Sequence, residues 1–132
     1  MSRIERAVKL MLNSISNSVV PDNSISFMMV PEGTALPNIE YTITSIEDLA
    51  IGSSFLRKAT VEIASAAATN PDALTVAEAV DAALVTGTHD GLVIEAIINR
   101  RTIFETPSYG YGDEQTPAIA ITTADLVYRL DS

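Results

Sequence analysis

The 132-residue chain has no cysteine, no tryptophan and few cations. Without cysteine, disulfides, thiolate-bound zinc and thiol catalysis are excluded. Only 8 Lys and Arg stand against 17 Asp and Glu, so the formal net charge is −9. Proteins that hold nucleic acid cluster Lys and Arg on one surface, and this balance therefore disfavours attraction to DNA or RNA.

Long apolar runs are also missing from the sequence. No stretch approaches the roughly 18 consecutive apolar residues that span a bilayer, so no membrane partner is expected. Charged side chains between positions 3 and 9 interrupt any apolar segment of the signal-peptide kind. Hydrophobic residues still make up 47% of the chain, which indicates a folded core. With no repeat or linker, we expect a single domain over residues 1–132, assembled in the cytoplasm.

Two segments have the periodicity of amphipathic helices. The first begins at the capping-box pair Ser2 and Glu5 and is predicted to run to about Ser16. The second is predicted to begin near Thr75, which opens another capping box, and to end at a Gly87 C-cap. The two apolar stripes consist of Ile4, Ala7, Val8, Met11 and Ile15, and of Val76, Val80, Ala83 and Leu84.

Five segments alternate as strands, and residues 46–54 are predicted to be a loop or short turn. Strands joined by turns should pair antiparallel, and two single-striped helices need one sheet face to cover. The predicted fold is therefore α+β, a two-layer sandwich. It has a mainly antiparallel sheet of about five strands with two helices on one face, in the order α-β-β-β-α-β-β.

The last predicted strand, residues 118–130, is much longer than the usual 5–6 residues. A monomer of this size offers little to cover both sides of such a strand. We therefore expect that part of it meets another subunit, or that it bends at Thr122-Thr123.

No catalytic or metal-binding motif is present in the sequence. The single histidine, His89, lies in a His-Asp-Gly turn, which is more typical of a solvated turn residue than of a general base. Adjacent carboxylates occur only at Glu47-Asp48 and Asp113-Glu114, and neither pair has calcium-loop spacing. We expect no catalytic residue, no metal ligand and no cofactor.

Tyr109 and Tyr111 flank a glycine in the predicted loop 106–116. Aromatic side chains on such loops are typical interaction anchors, although both rings could equally fold back onto the domain. The cationic pairs Arg57-Lys58 and Arg100-Arg101 are interpreted as ion-pair partners, within or between subunits, because acids outnumber cations two to one.

Element order and hydrophobic spacing follow one pattern through nearly the whole chain. It comprises an amphipathic helix (4–15), a strand introduced by Leu36-Pro37, a strand (57–63), a helix (76–84) and two closing strands around an acidic glycine loop (110–115). This pattern resembles the tail-terminator, or tail-completion, family of long-tailed bacteriophages. The stretch 44–55 departs from it by being longer than expected between these strands.

The resemblance implies a structural role in the virion, at the neck of the tail. Subunits of that family form a ring, usually six-fold, that caps the tail tube and joins it to the head connector. Further copies of the chain, the tail tube protein and a neck or head-connector protein are the expected partners. DNA would pass through the lumen without specific binding, and a subunit of charge −9 would repel its phosphates.

Two other classes of protein stay open. One is another neck or connector adaptor or tail tube subunit, and the other, with less support, is a small α+β enzyme or ligand-binding domain whose pocket includes His89.

For the neck role, residues are assigned by their position in predicted loops. The docking residues are Tyr109 and Tyr111, and the lumen or rim acids are Glu32, Glu47, Asp48, Asp113 and Glu114.

Overall fold

The computed structural model describes residues 2–21, 24–28, 35–51, 54–105 and 117–130, which hold two helices and six strands. The α+β class is confirmed. In chain order the elements are α1 (Arg3–Leu12), β1 (Ile25–Phe27), β2 (Asn38–Ile51), β3 (Ser54–Ala67), α2 (Asn70–Ala83), β4 (Gly87–His89), β5 (Leu92–Glu105) and β6 (Ala118–Leu130).

Helix α1 begins with the predicted capping box. The Ser2 backbone N–H donates to the Glu5 carboxylate at 2.8 Å, and the Glu5 N–H donates to the Ser2 hydroxyl at 3.3 Å. The helix ends at Leu12 rather than near Ser16. The Ser14 hydroxyl donates to the Met11 carbonyl at 2.6 Å, and such side-chain bonds compete with helix continuation.

Helix α2 begins earlier than predicted. Its N-cap is Thr69, whose hydroxyl accepts from the Asp72 N–H at 3.3 Å, and Pro71 suits the first turn. Thr75 instead lies inside the helix. At the other end the C-cap is Leu84, and Gly87, with φ of 131°, begins the unpredicted strand β4.

The sheet has the strand order β1-β2-β3-β6-β5-β4. All neighbouring pairs are antiparallel except β1 and β2, which are parallel, contrary to the expectation for consecutive strands. Residues 28–37 connect β1 to β2, and a connection longer than a hairpin turn permits this arrangement.

The prediction of a loop over residues 46–54 is wrong. Strands β2 and β3 form one long hairpin that stays paired from Asn38 and Ala66 to Ile51 and Ser54. The register shifts by one residue at Thr44. A bulge of this kind interrupts the period-two alternation, so the sequence pattern stops where the strand continues.

The core lies between the helices and one face of the sheet, called here the inner face. The stripes of α1 and α2 join most inner-face residues of the sheet in one buried cluster, and Ala67, Ala118 and Ala120 pack with Ala73 and Ala77 of α2 in a second. Strand β6 pairs with β3 without interruption through Thr122 and Thr123. On β3 and β6, the buried inner-face residues are Ala59, Val61, Ile63, Ser65 and Ala67, and Ala118, Ala120, Thr122, Ala124, Leu126 and Tyr128.

Candidate assembly surface

The opposite side of the sheet, called here the outer face, is covered by neither α1 nor α2. Strand register arranges its side chains in rows across the four long strands. Each row takes one residue from β2, β3, β6 and β5 in turn. Two neighbouring rows are Glu40, Ala64, Ile121 and Ile103, and Thr42, Glu62, Thr123 and Arg101.

One part of the outer face is apolar. Ile103 is 48% exposed and lies opposite Ile121, which in turn lies opposite Ala64. Ile119 and Ala66 extend the same surface by one row. A contiguous apolar surface that the subunit itself leaves open is typical of a protein–protein contact.

The neighbouring part of the outer face is polar and centred on Asp125. Its carboxylate accepts from the Thr60 hydroxyl at 2.7 Å and from the Asn99 amide at 2.8 Å. These hydrogen bonds, that of Asn99 above all, hold the pKa of Asp125 below its ordinary value. A shallow, open depression of about 410 Å³ surrounds this group, and His89 is not among its lining residues.

Two adjacent arginines on β5 have different surroundings. A bulge at Asn99, whose φ is 56°, places Arg100 toward α2. The Arg100 guanidinium donates to the Leu84 carbonyl at 2.6 Å and to the Asp81 carboxylate at 3.0 Å, which satisfies the C-terminal end of that helix. Arg101 lies on the outer face, exposed, and forms no ion pair with any described residue.

Both long outer strands have an unpaired edge in the described part of the chain. Strand β4 pairs only with residues 92–94 of β5, and β1 pairs only with residues 39–41 of β2. Residues 95–105 and 42–51 therefore have a sheet neighbour on one side alone. An open strand edge presents N–H and C=O groups that can pair with another chain.

The predicted lumen acids Glu47 and Asp48 lie in the β2–β3 hairpin. Glu47 contacts the Lys58 ammonium at 2.6 Å, and Asp48 contacts the Arg57 guanidinium at 3.0 Å. The hydrogen bond and charge of Glu47 raise the pKa of the Lys58 ammonium. The predicted residues Glu32, Tyr109, Tyr111, Asp113 and Glu114 lie outside the described residues.

The ion pairs leave some acids of the outer face without a positively charged partner. Arg57, Lys58 and Arg100 are in ion pairs, which confirms that interpretation for three of the four cations considered. Among the described residues, the outer-face acids without an ion-pair partner are Glu40, Glu62, Glu105 and Asp125, and Asp125 is held by hydrogen bonds instead. Sequence reasoning did not single out these acids, and it grouped Arg101 with Arg100 as an ion-pair partner. Which face each side chain lies on depends on strand register, which cannot be read from the sequence.

His89 is the last residue of β4, paired with Leu92, and the predicted His-Asp-Gly turn is limited to Asp90 and Gly91. Its Nε2 lies 3.2 Å from the Val85 carbonyl. Across the described ranges, no three or more His, Asp or Glu side chains are grouped as a metal site. Neither α1 nor α2 is long and apolar enough to cross a bilayer.

No protein-family model and no curated protein matches the chain. Among solved structures, it is similar to a chain described as "Virion of native gene transfer agent (GTA) particle". The superposition has a TM-score of 0.57 and 14% sequence identity, and covers 96% of each chain. At this identity, the comparison establishes a shared fold over nearly the full length.

Proposed function

We propose that this chain is a structural protein of a phage-like virion, acting as one domain. Its role is that of a ring-forming tail terminator at the neck, which caps the tail tube and joins it to the head connector. The fold shared with a virion chain over 96% of both lengths carries the proposal. The assembled protein would be found in the tail or neck of the virion, after assembly in the host cytoplasm.

The bare outer face and the two unpaired edges support an assembly role. On β3 and β6 the inner face is buried beneath the helices, whereas no helix lies over the outer face, where Ile98 and Ile103 are 43% and 48% exposed. Contact between copies through different surfaces on each side produces a ring when the rotation closes. The protein then acts by associating with other subunits, and we assign no catalytic step to it.

Charge supports a lumen through which DNA slides. The uncompensated acids Glu40 and Glu62 both lie on the outer face, and the chain as a whole carries −9. If that face lines the ring, each added copy increases the repulsion of phosphate. Glu47 and Asp48, held in ion pairs, stay assigned to the lumen or rim.

Docking to the tail tube and the head connector is assigned to Tyr109 and Tyr111, which the sequence predicts to lie in a loop. Replacing both with Ala should leave the fold intact and weaken head–tail joining, because two large aromatic contacts are lost. Replacing both with Phe is the matched control, which keeps the rings. Unchanged joining in the Ala variant would remove both residues from the proposal.

The unpaired edges equally suit a tail tube subunit or another neck adaptor, which is the second candidate. Negative-stain images of the purified protein separate these functions. A terminator should form single rings with a central hole and bind one end of isolated tail tubes. Stacked rings that grow into tubes would favour the tube subunit, and compact particles at every concentration would contradict a ring.

A further inference from the structure

We infer that β5 of one copy pairs antiparallel with β2 of the next copy, and that Arg101 lies beside Glu47 across this joint. The inference rests on the proposed ring and identifies the surfaces that close it. The occupant of each open strand edge is thus a second copy of the same chain.

Strand direction supports this joint. Strands β2, β3, β6 and β5 are adjacent in that order, and each pair is antiparallel. Strands β2 and β5 therefore run in opposite directions at opposite sides of the four-stranded unit. Copies related by rotation about a ring axis keep their orientation, so β5 of one meets β2 of the next as an antiparallel neighbour.

The open segments also match in extent. Residues 95–105 of β5 and 42–51 of β2 are nearly equal in length, and neither overlaps the part already paired with β4 or β1. With Arg101 opposite Glu47, the two segments overlap almost end to end, and Ile103 lies opposite Ser45. Between the bulges at Thr44 and Asn99, the outer-face residues Arg101 and Ile103 then meet the outer-face residues Glu47 and Ser45, whereas a slip of one residue would reverse the faces.

Charge and apolar exposure favour the same register. Arg101 has no ion-pair partner among the described residues, and Glu47 uses Oε1 for Lys58, which leaves Oε2 to accept from a second cation. Opposite charges directly across two strands stabilise their pairing. In this register Ile103 gains Ser45 as an outer-face neighbour and Ile46 gains Thr102 as an inner-face neighbour, and the two isoleucines are 48% and 50% exposed in the single chain.

A cysteine cross-link tests the joint directly, because the natural chain has no cysteine. The variant carries Ser45→Cys and Ile103→Cys in the full-length protein. Within one chain, β3 and β6 separate these positions by about 14 Å of sheet, which is three strand spacings. A disulfide joins Cα atoms no more than about 7 Å apart, so any bond formed links two copies.

The matched control carries Ser45→Cys and Thr102→Cys, which places the second thiol on the inner face. Mild oxidation should convert the first variant into a ladder of covalent oligomers ending at the ring, and should leave the control largely uncross-linked. Arg101→Glu should also weaken ring formation several-fold, whereas Arg3→Glu on α1 should not.

Two results would overturn the joint. If rings form but the first variant cross-links no better than the control, the joint is wrong and the proposed ring stands. If the wild-type chain remains monomeric at every concentration in sedimentation, the ring and the joint both fail. Circular dichroism of each variant shows whether a loss of assembly comes from a loss of folding.

Discussion

The two faces of strands β3 and β6 lie in different environments. On the inner face their side chains are buried beneath α1 and α2, and Leu126 is fully inaccessible. On the outer face, residues one position away are only partly covered, as Val127 shows. The single chain therefore completes one face by folding. We interpret the open edges of the sheet as completed by association.

The largest contrast should come from adjacent residues of β6. Leu126→Ala should lower the free energy of unfolding by about 3 kcal/mol, because it removes buried methyl groups and leaves a cavity. Val127→Ala should cost about 0.5 kcal/mol, because its side chain is already partly in water. Urea unfolding of the monomer measures both values. Equal losses would contradict the assignment of stability to the inner face.

A smaller contrast separates the two neighbouring arginines of β5. Arg100→Ala should cost about 1–2 kcal/mol of unfolding free energy, because the last carbonyls of α2 lose a charged donor. Arg101→Ala should change the stability of the monomer by less than about 0.5 kcal/mol while weakening assembly. Denaturation measures the stability of the two variants, and sedimentation measures their assembly. A larger loss of stability in Arg101→Ala than in Arg100→Ala would contradict the interpretation.

The polar group on the outer face should make stability depend on pH. Because the pKa of Asp125 is lowered on folding, its contribution is complete above the ordinary value of 3.8 and is lost as pH falls through the folded value. Asp125→Asn should therefore cost about 1 kcal/mol near neutral pH, and the difference from wild type should shrink in acid.

Unfolding curves near pH 7 and below pH 3.8 test this expectation, with Glu62→Gln as the control on the same face. The control should follow the wild type at both values. A difference between Asp125→Asn and the wild type that grows in acid would contradict the sign of the shift.

The smallest effect concerns the exposed ion pairs of the β2–β3 hairpin. Glu47→Gln should lower the melting temperature of the monomer only slightly, because solvent and salt screen the pair with Lys58. Even that loss should disappear in about 1 M salt. Thermal melts at low and high salt measure it, and a large drop in melting temperature would show that the pair is a structural element of the fold.

Much of the fold follows from residue periodicity. The predicted apolar stripe from Ile4 to Ile15 is buried, although α1 ends at Leu12, and Ala59, Val61 and Ile63 of β3 are buried as predicted. The hairpin over residues 46–54 and the parallel pairing of β1 are not visible in the sequence. The bulge at Thr44 shifts the alternation of inward and outward residues by one position. The direction of β1 relative to β2 depends on the path of the connection between them, which residue periodicity does not specify.

The candidate surface was less predictable than the fold. The sequence shows that acids exceed cations, but the surface of interest depends on which cations are paired. Arg100 and Arg101 are chemically identical, and only the bulge at Asn99 places them on different sides of the sheet. Open edges arise because β1 and β4 are short, a property of the strand pairing and not of any motif.

Amide hydrogen exchange tests most directly whether the inner face stabilises the folded chain while the open strand edges form the contacts between copies. The chain would be compared at low concentration and in the isolated ring. We predict that residues 42–51 and 95–105 gain protection on assembly, while residues 59–63, already buried against the helices, change little. Rings that form with unchanged exchange at both open edges would contradict the account.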